Sequence, residues 1–295
     1  MLSNKQYVYS AAFIIFLSVT GCIFSFTSSS NPQINVQLLW QNDILDCQIP
    51  FDTGEVHKTW FIEQFQFFIS DIQLGSDKTG WQKLNLAQSH FQAHDTVLLG
   101  SNCRKSQQQT SLVKNENWTI DFESNPHVML SQSSRIRFNL GVPFKVNHLI
   151  PISQKSPLNL PSMFWVWQTG HKFMRLELAT NNEQWLFHLG STGCKSASVM
   201  RAPEQACRYP NTFYFDLPIA KGEGNQLVLN LDLAALLKNV DLMASSSCQS
   251  EQDQDSCQQL FKNLAVDNES KGTTIVSSVF KAITIKSESE KKDAE

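Results

Sequence analysis

The sequence predicts an all-β fold, an antiparallel β-sandwich stapled by disulfides and carrying one or two short helices. Apolar residues recur with period two rather than 3.6 along most of the chain. Gly and other turn residues punctuate those runs, as they do in sandwiches and barrels. Of the seven cysteines, one lies near the N-terminus and six follow, an even number that suits an exported, disulfide-bonded domain.

The N-terminal element is expected to lie outside the fold. Lys5 is the only charged side chain before the apolar stretch Ala11–Leu17, and small residues lead to Val19-Thr20-Gly21-Cys22. A charged start, an apolar middle and a small-residue exit describe a secretory signal. Val-Thr-Gly-Cys resembles the lipobox of bacterial lipoproteins, which makes Cys22 the acylated first residue of the mature chain. Acyl chains then hold the protein at a membrane, each buried CH2 contributing about 0.8 kcal/mol. An uncleaved span over Val8 to Phe26 is the alternative, being nearly long enough to cross a bilayer. The expected organisation is a signal over 1–22, a polar tether over 23–32, one domain over 33–286 and a charged tail over 287–295. The localisation expected is the periplasm or the cell surface, with an outer-membrane anchor.

Strands follow in order. Ile34-Asn35-Val36-Gln37-Leu38 alternates cleanly, and Phe65 to Leu74 continues the pattern until Gly75. Arg135 to Leu140, Phe173 to Leu178 and Gln226 to Leu231 do the same, with shorter strands over Trp185–Leu189, Thr212–Leu217 and Thr274–Phe280. A short helix fits Leu233–Leu237 with Asp232 as its N-cap, and a second fits Cys257–Leu264. Gln107–Asn117 and Ala244–Asp255 read as polar loops. Spacing suggests the cysteine pairing: Cys194 with Cys207 and Cys248 with Cys257 close short loops, which leaves Cys47 for Cys103. No Cys-x-x-Cys pair supports a thiolate metal site. A formal charge of −3 with scattered Lys and Arg argues against nucleic acid as a partner. Standard catalytic signatures are missing, including the Gly-x-Ser-x-Gly elbow and His-Glu-x-x-His, so an enzyme is not the expected reading.

The segment Leu140 to Cys194 concentrates candidate chemistry. It holds His148, His171 and His188 beside Met163, Trp165 and Trp167. If Met163 to Trp167 is extended, Met163, Trp165 and Trp167 share one face. Imidazole and thioether suit Cu(I), whereas carboxylate-poor surroundings disfavour Ca2+ or Mg2+. Asn147 is placed to orient His148. His57, His90, His94 and His127 read as surface residues, and Trp81 as packing.

Three strings in this segment are long enough to carry a resemblance: Leu-Gly-Val-Pro-Phe-x-x-Asn-His, Ser-Pro-Leu-Asn-Leu-x-x-Met-Phe-Trp-x-Trp-Gln-x-Gly-His-Lys-Phe, and Phe-His-Leu-Gly-Ser-Thr-Gly-Cys. With Phe67 to Ile72 and the late Cys248 and Cys257, they resemble the MbnP-like family of four-Cys proteins over roughly Ile34 to Leu264. The resemblance implies a periplasmic or surface copper-binding β-protein. It implies as partner a diheme c-type enzyme related to cytochrome c peroxidases (MbnH-like), which in relatives oxidises a Trp to kynurenine, whose amino group then helps bind copper. The expected ligands are His148 and His188, with Met163 and His171 behind them. Trp165 and Trp167 are the expected oxidation targets, followed by Trp60 because His57 is near; Trp118 is a further rival. Two other classes stay open. One is a metal-free envelope lipoprotein that presents loops to a protein partner. The other is a glycan hydrolase, for which Asp216 and Glu177 are candidate carboxylates, though nothing in their spacing recommends them.

Overall fold

The computed structural model describes residues 33–53, 58–104, 116–123, 133–166, 168–222, 226–265 and 279–286. Cys22, the tether, His57, His127, Trp167 and the tail therefore lie outside the described residues. Chain order runs β1 (Gln33–Trp40), β2 (Asp43–Ile44), β3 (Phe51–Thr53), β4 (Lys58–Ser76), β5 (Gly80–Lys83), β6 (Gln92–Ala93) and β7 (Thr96–Asn102). It continues with β8 (Glu116–Asn117), β9 (Thr119–Asp121), β10 (Arg135–Leu140), α1 (Phe144–Asn147), β11 (Lys172–Ala179) and β12 (Gln184–Gly190). Last come β13 (Phe213–Ala220), β14 (Gln226–Asp232), α2 (Leu233–Leu236), α3 (Asp255–Leu264) and β15 (Phe280–Ile285). Among the described residues no helix is long and apolar enough to cross a membrane.

The long strand β4 organises the sheet. Its first half pairs with β11 on one side and β7 on the other, and its second half pairs with β10 and β5. A bulge separates the halves: Asp71 has a positive φ of 52°, and the register against β10 shifts there. The main path runs β12-β11-β4-β10-β13-β15-β14-β1-β2. The sheet folds back on itself, because Phe280 of β15 packs on Phe67, Phe138 and Phe215 at centroid distances of 6.1, 5.3 and 4.8 Å. Those rings, with Phe65 and Ile69, form the centre of one hydrophobic core.

Most pairs are antiparallel, as expected, but β1 with β14 and β13 with β15 are parallel. Alternation identifies a strand without giving the direction of its partner, and long connections allow parallel neighbours. The N-cap reading of Asp232 holds: its carboxylate accepts from Ala235 N–H at 3.1 Å. The second helix starts at Asp255, two residues before the expected Cys257. Glu116–Asn117, expected as loop, pairs with β7; β15 runs from Phe280 to Ile285, and residues 274–278 of the expected strand lie outside the described residues. All three expected disulfides are present: Cys47–Cys103, Cys194–Cys207 and Cys248–Cys257.

Gly100 is one position where the backbone requires glycine. Its φ is +104°, and a Cβ there would stand 2.0 Å from the Phe65 carbonyl oxygen of β4. Gly100→Ala is expected to lower the unfolding free energy by roughly 1–3 kcal/mol, the cost of a forced backbone conformation. Urea unfolding with an unchanged midpoint would contradict it.

Candidate metal centre

The alternation of β4 breaks at Phe67-Phe68-Ile69, and the reason is that β4 is buried on both faces between Gln64 and Ser70. One face points into the phenylalanine core. The other carries Gln64, Gln66, Phe68 and Ser70, and the segment from Gly141 to His171 covers it. Ser70 Oγ donates to Gly141 O at 3.0 Å, and Phe68 meets the His171 ring edge-on at 5.7 Å. Pro143, Pro151, Pro157 and Pro161 interrupt that segment, so it lies as short turns rather than as a further strand.

Cross-strand register then builds a polar patch beneath the cover. Gln66 stands beside Arg175 and Arg175 beside His188, while Gln64 stands beside Glu177. These side chains share a face by period two. Glu177 Oε1 accepts from His188 Nε2 at 2.8 Å and from Arg175 Nε at 2.5 Å, and Oε2 accepts from Arg104 Nη2 at 2.5 Å. Ser162 O accepts from Arg175 Nη1 at 2.8 Å and from Lys172 Nζ at 3.3 Å, tying the cover to the patch. Met163, fully buried, follows Ser162, and its Sδ lies 3.9 Å from Gln64 Nε2.

Charge follows from these contacts. Burial pushes the Glu177 carboxyl up, but the hydrogen bonds from His188 and Arg175 and the charges of Arg175 and Arg104 outweigh it and hold the group at about 2. Burial pushes the His188 imidazole down, with Glu177 opposing. Burial and the neighbouring Arg175 bring Lys172 down to about 8. An ionised carboxylate only accepts, so the hydrogen of the neutral His188 ring sits on Nε2. His188 Nδ1 is then a bare lone pair, and this atom is buried with no hydrogen-bond partner among the described residues.

His148 and His171 form a separate group joined by Asn147. Asn147 Oδ1 accepts from the His171 backbone N–H at 2.7 Å, and the Asn147 amide nitrogen donates to His148 Nε2 at 3.3 Å. Asn147 fits because residue 170 is glycine, where a Cβ would stand 2.4 Å from Asn147 Oδ1. His171 lies within reach of oxygen at both nitrogens, Leu158 O at 2.9 Å from Nε2 and Asn147 Oδ1 at 3.1 Å from Nδ1. Burial lowers its pKa, and its place is that of a packed core imidazole. His148 Nε2 is 3.6 Å from Cys207 Sγ. A cleft of about 650 Å3 opens beside Asn147 and Cys207.

Two clusters of three metal-donor residue types occur among the described residues, His148 with Cys194 and Cys207, and Cys248 with Glu251 and Cys257. In both, the sulfurs are bonded to each other and offer no thiolate. His188 belongs to neither cluster, so the structure keeps the two leading histidines in different settings.

The sequence model of the MbnP family matches residues 29–257. This chain belongs to the MbnP family. Its fold is similar to that of MbnP from Methylosinus trichosporium, with a TM-score of 0.66 at 18% identity over 86% of this chain and 98% of that one. No curated protein matches the sequence. The matched span of this MbnP-family chain ends at Cys257 and contains every candidate ligand named above.

One sequence expectation changes. Met163 does not share an extended run with Trp165, and Trp167 lies outside the described residues. Met163 closes a 3-10 turn, Pro161–Met163, started by the proline, so Met163 and Trp165 do not sit on one strand face. Trp165 is partly buried, with its ring against Gly190, where a Cβ would stand 2.6 Å from the indole; Gly190 is two residues past His188 on β12. Trp60 lies in the core at 0% exposure with its indole nitrogen unpartnered. Trp118 donates to Ser101 Oγ at 3.0 Å, and Trp81 stacks under Arg137 at 3.3 Å.

Asp216 and Glu177 do not face each other as a hydrolytic pair. Glu177 stands at the register of Gln64 on β4, whereas Asp216 stands, through Arg137 of β10, at that of Gln73, about 30 Å along a strand and beyond the separation glycosidases use. Asp216 is also held by Arg135 and Arg137 at 2.7 and 2.8 Å. Sequence reasoning missed the role of Glu177 as the partner of His188. The available signal was Arg175-x-Glu177 and Gln64-x-Gln66 on apolar strands, a polar stripe that needs a covering segment to make sense.

Proposed function

We propose that this MbnP-family chain is an exported copper-binding lipoprotein, held at the outer membrane through Cys22 and facing the periplasm or the cell exterior. Its role is binding rather than catalysis. The observation that carries the reading is the bare, buried Nδ1 of His188, an imidazole nitrogen backed by a carboxylate in the way that metal-binding histidines are oriented. The donors fit copper: His188 would supply nitrogen, and Met163 a thioether from the cover over the same polar patch. Such a soft set favours Cu(I). His148, beside the Cys194–Cys207 bridge, is the second candidate. His171 is the weakest, since both its nitrogens lie against oxygen acceptors. Copper held there would supply a one-electron redox centre.

Few donors are available, which supports maturation by a diheme c-type partner that converts a Trp to kynurenine. Indole N–H only donates, whereas an aniline nitrogen can ligate. Trp165, against Gly190 on the His188 strand, suits that role better than the core residue Trp60. Intact mass of protein made with and without the partner tests this step.

A metal-free interaction lipoprotein is the second reading, supported by exposed apolar residues in the loops, Ile152 at 89% and Met200 at 66%. Titration with Cu(I) under a competing chelator separates the two. Saturable binding that weakens in His188→Ala and in His148→Ala supports the copper reading. No saturable binding, or binding unchanged in the double variant, would leave the interaction reading.

A further inference from the structure

We propose that Glu177 is the positioning residue of the site: it fixes the tautomer of His188 so that Nδ1, and not Nε2, is the nitrogen offered to a ligand. Three observations meet on this pair. Glu177 Oε1 lies 2.8 Å from His188 Nε2, and His188 Nδ1 is buried with no hydrogen-bond partner among the described residues. Both Glu177 oxygens are claimed from outside the pair, Oε1 by Arg175 at 2.5 Å and Oε2 by Arg104 at 2.5 Å. The carboxylate therefore cannot turn away from the ring without breaking two charge-assisted bonds.

The arrangement also fixes the ring plane. His188 N–H donates to Cys248 O at 2.8 Å, and Cys248 N–H donates to Leu186 O at 2.8 Å, so the loop carrying the Cys248–Cys257 bridge holds the outer edge of β12. With the backbone held on one side and Nε2 held on the other, His188 has one acceptor atom left. A buried polar atom left unpaired costs stability, and on an imidazole nitrogen it leaves a lone pair that a Lewis acid would use. Arg104 and Arg175 extend the chain of support outward from the ring, which makes them part of the same device.

The metal half of this inference rests on the copper reading above, whereas the tautomer half does not. The detergent-solubilised full chain, labelled with 15N-histidine and free of metal, reports the tautomer directly in long-range proton–nitrogen NMR spectra. His188 is expected to show hydrogen on Nε2 and none on Nδ1. In Glu177→Gln, an amide group facing the ring can donate to Nε2 and move the hydrogen to Nδ1, and Cu(I) affinity is expected to fall by roughly 10–100-fold. A wild-type spectrum with hydrogen on Nδ1 would overturn the inference and needs no variant. An unchanged tautomer in a folded Glu177→Leu protein, which has no acceptor for Nε2–H, would overturn it too, judged by its amide spectrum, and both results leave copper binding standing. The expected tautomer with no Cu(I) binding in the wild type would instead sink the copper reading, and the metal role of Glu177 with it.

Discussion

Replacing Cys47 and Cys103 by serine is expected to lower the unfolding free energy by about 4 kcal/mol, the loop-closure value for a bridge of this span. The bridge joins residues 56 apart in sequence, against 13 for Cys194–Cys207 and 9 for Cys248–Cys257. The same relation gives about 3 kcal/mol for each of the short bridges, so the ranking is as testable as the size. Local geometry adds a second effect. Cys103 N–H donates to Glu63 O at 2.9 Å, and the next residue is Arg104, which clamps Glu177. Loss of the long bridge therefore frees one arm of the Glu177 clamp as well as the β7 end. Removing Cys248–Cys257 costs less stability but acts on the His188 strand itself, through the Cys248 backbone. Equilibrium denaturation of the three double-serine variants measures the order. A Cys47/Cys103 variant as stable as the wild type would defeat the argument.

How far these relations are legible in the sequence depends on whether they are local. The alternation of Ile34 to Leu38 and of Gln226 to Leu231 gives two strands, because period two is a property of each strand by itself. That β1 and β14 lie side by side and parallel is not written in either. Disulfide pairing followed from spacing, since short loops close at small cost. The site divides the same way. His188, His148 and Met163 stand out within their own strings. Glu177 does not, because Arg175 and Glu177 alternate with Met174, Leu176 and Leu178 as on any solvated strand face. Only the proline-broken segment from Gly141 to His171, folded over that face, turns an apparent surface stripe into a buried one. The Gln64-x-Gln66 pair on a strand otherwise rich in Phe was the trace left of it.

Burial of that stripe sets the second large effect. Glu177→Leu is expected to destabilise the metal-free protein by roughly 3–5 kcal/mol, the range for breaking a buried ion pair from one side. The lower part of the range is the better expectation, because Arg104 is 49% exposed and recovers water, whereas Arg175, at 12%, stays buried without its partner. The cost arises from the stranded guanidinium, so a second change that removes it should return much of the loss. Glu177→Leu with Arg175→Leu is expected to be closer to the wild type than Glu177→Leu alone. Acid adds an independent check. The Glu177 carboxyl, ordinarily at 4.5, is held at about 2 in the fold. The unfolded chain therefore takes up this proton first, and stability rises with pH across that interval. The contribution is fully present above the ordinary value and is lost as pH falls towards about 2. Urea unfolding of metal-free protein from pH 6 downward should show a loss in the wild type that Glu177→Leu lacks. Parallel curves for the two proteins would mean that Glu177 is not held ionised by the arginines, and the clamp on His188 would go with it.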